Sequence, residues 1–395
     1  MENKQPWLAQ QWAASQHNFA PEIAVPARLV AIHDITVRDG EEAADLAFNV
    51  EDKVRIAEAL VRLGVRRMEV FLTVPGWLEA VRAILARKLP LDLYVTWHPG
   101  RVEQAIEAGA RHVMVWYRIG EVYQKYVSQR DQGVLFDEML GSVRAARAAG
   151  AEVNLFLPES TRASLDHIVD AARAAEAEGA SAVTIVDSQG VARPAAIRYL
   201  VECLRASTGL GVEVHCHNDF GLAVANVLAA YEGGATALHV AVNAVGYRAG
   251  NAALEEVVMA LRVLYGVDLG LRLDLLPELS RLVESITGLP NGYFKPVVGL
   301  GAFSYEQWSA TAALEAAGAR PYAFPFEPEV VGRSPRLVIG KWSDTGAVER
   351  KLAELGLSAR PARVATLLEE CQRLGLAKHR PLTDAEFLEV ANRTD

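Results

Sequence analysis

Short runs rich in Val, Ile, Leu and aromatic residues alternate with Ala-, Leu-, Glu- and Arg-rich segments of helical period through the first two-thirds of the chain. A brief β-rich run followed by a longer amphipathic segment is the pattern of a βα unit, in which the helix returns the chain for a parallel strand and covers the sheet. Eight such runs are counted, near Val30–Thr36, Arg67–Leu72, Leu91–Trp97, His112–Tyr117, Glu152–Leu157, Ala182–Asp187, Gly211–His217 and Ala237–Asn243. Between them the spacing predicts helices over Glu51–Leu63, Phe136–Ala148, Leu165–Glu178 and Leu222–Glu232, several followed by glycine (Gly64, Gly150, Gly179, Gly233), the residue that most readily closes a helix.

Eight strand–helix repeats predict an α/β fold, a closed (β/α)8 TIM barrel. An open doubly wound sheet is the competing arrangement, but the first turn lacks a G-x-G-x-x-G phosphate loop, and polar residues recur at the C-terminal ends of many strands, where barrels place their active sites. The pattern changes around Leu276. The tail carries a Gly-rich stretch, a Pro-rich stretch and three late helical segments, so the expected organisation is an N-terminal arm (1–28), a barrel domain (29–275) and a smaller, mainly helical C-terminal subdomain (276–395).

Composition narrows the function classes. Hydrophobic residues make up 51% of the sequence, yet no run approaches the ~18 uninterrupted apolar residues of a membrane span. The first residues, Met1 to Phe19, lack the apolar core of a secretory signal. A cytoplasmic enzyme without membrane contact is expected. Cys203, Cys216 and Cys371 form no C-x-x-C pair or disulfide framework, and a net charge of −9 argues against nucleic acid as a partner. A small-molecule partner is expected.

The sharpest chemical signal is His215-Cys216-His217-Asn218-Asp219 at the end of the seventh run, where residues two apart share one side of a strand. Arg38-Asp39-Gly40 ends the first run, and Asn251 lies just beyond the eighth. Closure makes strands seven, eight and one neighbours, so Asp39, His215, His217 and Asn251 can converge on one divalent ion. This mixed N/O set suits Mg²⁺, Mn²⁺, Zn²⁺, Co²⁺ or Fe²⁺ and does not choose among them. Arg38 and Glu69, on neighbouring strands, would form a charged pair beside it, and a permanently charged guanidinium there suits a developing alkoxide or enolate.

The motifs resemble those of the DRE-TIM metallolyase superfamily, and within it the isopropylmalate and homocitrate synthase group. His33-Asp34-Ile35-Thr36-Val37-Arg38-Asp39-Gly40-Glu41-Glu42 is similar to that group's D-T-T-L-R-D-G-E-Q, with Glu42 in place of Gln. Glu69 falls on its glutamate, His215 to Asp219 on its H-x-H-N/D-D, and Asn243 to Val257 on its N-G-x-G-E-R-A-G-N-x-x-L-E-E-V, with Tyr247 replacing Glu. Val331-Gly332-Arg333 and Ile339-Gly340-Lys341-Trp342-Ser343 extend the likeness into the tail. The resemblance implies a 2-oxo acid chelated by the metal and condensed with acetyl-CoA or another acyl-CoA. It further implies Arg38 supporting the polarised oxygen, Ser188 and Arg162 binding substrate, and a homodimer.

The acyl-donor end departs from the group. Its H-x-S-G-I-H string becomes Tyr305-Glu306-Gln307-Trp308-Ser309-Ala310, so the second histidine is replaced by Ala310, and its S-x-E-D becomes Phe156-Leu157-Pro158-Glu159. Either Tyr305, Glu306 or His98 serves as the acid or base of a Claisen-type condensation, or the chain is a CoA-independent aldolase, lyase or decarboxylase using the same ion. A catalytically silent metal and keto-acid binding paralogue is the non-enzyme alternative.

Overall fold

The computed structural model describes residues 5–96, 100–358 and 360–393. Eight parallel strands close into a barrel: β1 (Ala31–Asp34), β2 (Arg67–Val70), β3 (Asp92–Thr96), β4 (His112–Trp116), β5 (Glu152–Leu157), β6 (Ala182–Asp187), β7 (Gly211–Cys216) and β8 (Ala237–Val240). Closure is made by β1 against β8, in the register Ala31↔Ala237 to Asp34↔Val240. The predicted runs therefore become strands in the predicted order.

The helices between them form where the hydrophobic spacing placed them, over Val50–Leu63, Gln132–Ala148, Leu165–Ala177 and Ala223–Gly233. Val50–Leu63 starts at a reciprocal cap in which Asn49 and Asp52 each bind the other's backbone N–H, and ends at Gly64 with φ 109°, a left-handed conformation open to a residue without Cβ. Among the described residues no helix is long and apolar enough to cross a membrane.

Two compact units divide the chain. One spans Val25–Asn291; the other joins residues up to Ala24 to those from Gly292 onward. The helix Leu276–Thr287, grouped with the tail by the sequence pattern, lies in the barrel unit. It packs on Val50–Leu63, and the Arg62–Glu278 pair at 2.7 Å joins the two helices. In the second unit Trp308, Leu337, Ile339, Val348, Leu367 and Phe387 form a core shared by the helices Thr345–Glu354, Pro361–Lys378 and Asp384–Arg393. The arm up to Ala24 belongs to this core's unit, where Glu327 donates its N–H to the Gln11 carbonyl at 2.7 Å, and its last four residues belong to the barrel unit.

The barrel interior is polar in its lower layers. Arg67 meets Glu213 at 2.7 Å, and Glu213 meets His239 at 3.0 Å. The ring of His239 stacks on His33, with centroids 4.2 Å apart and planes inclined by 11°. At the top of β1, Asp34 accepts from the Thr36 hydroxyl at 2.7 Å and from its N–H at 3.0 Å, and the same hydroxyl accepts from the Val242 N–H at 2.9 Å. This small network fixes how the chain leaves β1 and how it leaves β8.

Burial outweighs the two Thr36 hydrogen bonds and raises the Asp34 carboxyl to about 7. A raised acid pKa means that the folded protein holds a proton the unfolded chain has lost. Stability should therefore fall as pH rises from about 4 to about 7, with a slope of at most about 1.4 kcal/mol per pH unit from this group, and level off above. Asp34→Asn should flatten that slope in urea unfolding measured between pH 5 and 8; an unchanged slope would remove Asp34 as its source.

Candidate metal centre

The chain leaves β1 in a single helical turn, Thr36–Asp39, rather than continuing as a strand to Arg38. This corrects the strand-end placement of Arg38 and Asp39: the Asp34–Thr36 interaction turns the backbone at once, directing both side chains into the mouth. His217 likewise lies one residue past β7. It is held there by a bridge to Asn251 and by the Asn218 N–H donating to the Gly250 carbonyl at 2.9 Å.

Asp39, His215 and His217 are all buried and offer ligand atoms within 4.8 Å of one another. Asp39 Oδ1 is 3.8 Å from His215 Nε2, and its Oδ2 is 3.9 Å from His217 Nδ1. Burial, followed by the Arg38 charge and the neighbouring His217 and His239, pushes the His215 imidazole well below its ordinary value; burial also lowers His217. Both are neutral at pH 7, as metal-ligating imidazoles must be.

The Asn251 amide completes the set. Its Nδ2 lies 3.3 Å from His215 Nε2 and 3.4 Å from His217 Nδ1, while its Oδ1 is buried without a hydrogen-bond partner. An orphaned buried carbonyl is costly. Exchanging the two ends of the amide turns that oxygen toward the same imidazole nitrogens, as a fourth donor. The residues present thus fit a divalent ion.

Arg38 lies beside this group and is 1% exposed. Its Nη1 donates to Asp39 at 2.8 Å and to Glu42 at 3.0 Å, its Nε is 3.2 Å from Glu69, and its Nη2 is 3.3 Å from His215 Nδ1. Burial alone would lower the guanidinium's pKa, but Glu69, Asp39 and Glu42 together raise it. Three carboxylates against one guanidinium leave a formal charge of −2 (−3 plus +1), the amount a divalent cation neutralises. Thr96 holds Glu69 in place through a 2.8 Å hydrogen bond.

Ser188 and Arg162 meet at a second corner. The Ser188 hydroxyl accepts from the Glu159 N–H at 2.8 Å and keeps its own proton to donate, while the half-exposed Arg162 lies 3.6 Å from the Glu159 carboxylate. Arg248 ties this corner to the loop after β7, donating to the Ser188 carbonyl at 2.7 Å and to both Asp219 oxygens at 2.8 Å. Tyr305 and Glu306 belong to the other compact unit. There Tyr305 packs on Phe324 and Trp308, and Glu306 accepts from the Trp342 N–H at 2.6 Å with Lys341 at 3.6 Å. His98 lies outside the described residues.

Further side chains and one backbone group complete the site. Glu42 stands four residues after Arg38, a spacing that brings the two together on a helical turn, and could have been read as its partner. The Tyr247 N–H, which binds Asp39 Oδ2 at 3.1 Å, gives no sequence signal because it is backbone. Gly246 leaves room for both side chains: a Cβ there would lie 1.8 Å from Asn251 Oδ1 and 2.6 Å from Asp39 Oδ2. Phe156 and Trp116 cover Arg38, their ring centroids 5.4 and 5.6 Å from its guanidinium carbon.

A second buried group, His33, Glu213 and His239, also has ligand atoms close together. Its two imidazoles are nearly parallel, so no nearby point lies in both ring planes, where the lone pairs are directed. It is a polar packing layer as it stands.

The HMGL-like family model matches residues 29–283. A probable 2-isopropylmalate synthase of Ignicoccus hospitalis is 37% identical over 365 residues, 90% of each chain. The homocitrate synthase AksA of Methanopyrus kandleri is 36% identical over 91% of each chain, and a putative (R)-citramalate synthase CimA of the same organism is 35% identical over 93% of this chain and 73% of its own. Among solved structures, an HMG-CoA lyase of Bacillus subtilis superposes with a TM-score of 0.61 at 20% identity, covering 68% of this chain and 96% of its own. At that identity the likeness is one of fold.

Gly246→Ala should drive Asn251 and Asp39 apart and strip the protein of stoichiometric metal, as Asp39→Ala should by removing a ligand. Gly141→Ala, where a Cβ meets open space, should leave it intact. Elemental analysis after dialysis checks this; full occupancy in Gly246→Ala would place the ion elsewhere.

Proposed function

Because the chain belongs to the HMGL-like family of DRE-TIM enzymes, we propose that it is a divalent-metal-dependent synthase that condenses a 2-oxo acid with acetyl-CoA or another acyl-CoA. The observation that carries the reading is the convergence of Asp39, His215, His217 and Asn251 on one point with the Arg38 guanidinium against it. Held by these residues, a divalent ion would supply Lewis acidity toward a keto acid.

The chain's own residues supply the rest. Arg38 is held charged and immobile by its carboxylates, so it stabilises an oxyanion without reorganising when charge develops. Ser188 offers a hydroxyl proton, and Arg162 a cation, for the substrate carboxylate. Glu69 orients Arg38 by pairing with its Nε, which leaves the terminal nitrogens toward the metal group. Tyr305 and Glu306 are the proposed proton-handling groups for the acyl donor, in place of the histidine replaced by Ala310. We take the working assembly to be a homodimer, which light scattering of the purified protein would test.

That replacement favours one second reading, a CoA-independent aldol-type or lyase reaction at the same ion. The two differ in what acetyl-CoA does. In the condensation, metal-loaded protein given a 2-oxo acid and acetyl-CoA should release free CoA thiol, and Tyr305→Phe or Glu306→Gln should slow exchange of the acetyl methyl protons with solvent by ~10²- to 10⁴-fold. Arg38→Lys should retain metal yet lose about 10²-fold in kcat, since an ammonium lacks the guanidinium's fork. Thiol release absent across a panel of 2-oxo acids, with cleavage of a hydroxy acid in its place, would give the site to the second reading.

A further inference from the structure

The donors of the metal group come from one arc of the barrel, β7, β8 and the turn after β1, and Ser188 extends that arc to the end of β6. A 2-oxo acid held there with its keto oxygen toward Arg38 and its carboxylate toward Ser188 would turn the substituent on its keto carbon to the opposite arc, β3 to β5. That arc is filled. Phe156 on β5 is 1% exposed, and its ring meets the His215 ring edge-on at 5.5 Å, lies 5.4 Å from the Arg38 guanidinium and stacks on Trp116 at 4.9 Å. Tyr94, Met114 and Val186 close the cluster behind it.

The arc is also poor in free positive charge. Arg38 is hydrogen-bonded to Asp39 and Glu42 and ion-paired with Glu69; Arg101, after β3, donates to the Leu72 carbonyl. Arg118, after β4, is exposed and lies over the rings of Trp116 and Tyr123, and Arg162, after β5, is half-exposed, lies 3.6 Å from Glu159 and is taken up by the substrate's first carboxylate in the proposed binding mode. Among the described residues no buried cation waits there for a second carboxylate.

Resting on the 2-oxo acid reading, we propose that Phe156, backed by Trp116, is the specificity-determining wall of the site, and that the substrate is a short monocarboxylic 2-oxo acid with no more than a methyl or ethyl group on its keto carbon. Longer or branched substituents meet the Phe156 ring, which cannot withdraw because Trp116, Tyr94 and Met114 are packed behind it. Dicarboxylic 2-oxo acids would bury a carboxylate against an aromatic cluster without a counter-ion.

The test is calorimetry on Mn²⁺-loaded protein, without acyl-CoA, using pyruvate, 2-oxobutanoate, 3-methyl-2-oxobutanoate and 2-oxoglutarate. The first two should bind at least about 10-fold more tightly than the last two, and Phe156→Ala should shift the preference toward 3-methyl-2-oxobutanoate by about 10- to 100-fold. Phe156→Leu, which keeps the site apolar and filled, should shift it in the same direction by less, and serves if the alanine variant does not fold. Wild-type binding of 3-methyl-2-oxobutanoate or 2-oxoglutarate as tight as that of pyruvate would overturn the proposal, as would an unchanged preference in a variant that still holds Mn²⁺. Binding of none of the four would overturn the 2-oxo acid reading with it. The predicted order of binding without thiol release from acetyl-CoA would sustain the wall while refuting the condensation.

Discussion

A fully buried guanidinium is the constraint around which the mouth of this barrel is built. Arg38 cannot shed its proton and is removed from water, so every direction in which it points must supply compensation. Asp39 and Glu42 do so at Nη1 and Glu69 at Nε, and Phe156 and Trp116 cover it with aromatic rings. Removing one partner of such a cluster costs about 3–5 kcal/mol, because it leaves a charge buried and unpaired. The arrangement overshoots by two negative charges, and that excess sits next to two neutral imidazoles. A surplus of this kind stabilises little by itself; it becomes favourable when a divalent cation completes it.

The precision of the centre comes from covalent shortness and barrel closure rather than from long flexible side chains. Asp39 is set by a one-turn helix that the Asp34–Thr36 interaction begins, His215 by the register of β7, and Asn251 by its bridge to His217. Arg248 and its partners tie the loops after β6, β7 and β8 into one piece. Gly246 and Gly250 matter here for space: a Cβ at Gly250 would lie 1.9 Å from the Ala244 carbonyl, so the loop after β8 closes tightly only without one.

Much of this was legible in the sequence because the signals are periodic or local. The eight strands, their order, and the convergence of Asp39, His215, His217 and Asn251 follow from strand periodicity and from the adjacency of first and last strands in a closed barrel. What was not legible depends on contacts between distant positions. The turn after β1 is set by a hydroxyl that also binds Val242, and the helix Leu276–Thr287 joins the barrel unit through packing on Val50–Leu63. Phe156 was visible as a departure from the synthase pattern, but its packing between His215, Arg38 and Trp116 needs three strands and a turn brought together. The stacked His33 and His239, 206 positions apart, gave no local sign at all.

The claim that most depends on is that one divalent ion sits on Asp39, His215 and His217 with the Asn251 oxygen turned toward it. X-ray absorption at the metal edge of protein loaded with Co²⁺ or Mn²⁺ tests it directly. Two imidazoles among otherwise oxygen ligands, with the bound metal lost from His217→Ala, is the predicted result. A first shell of oxygen alone, or one unchanged in His217→Ala, would contradict it.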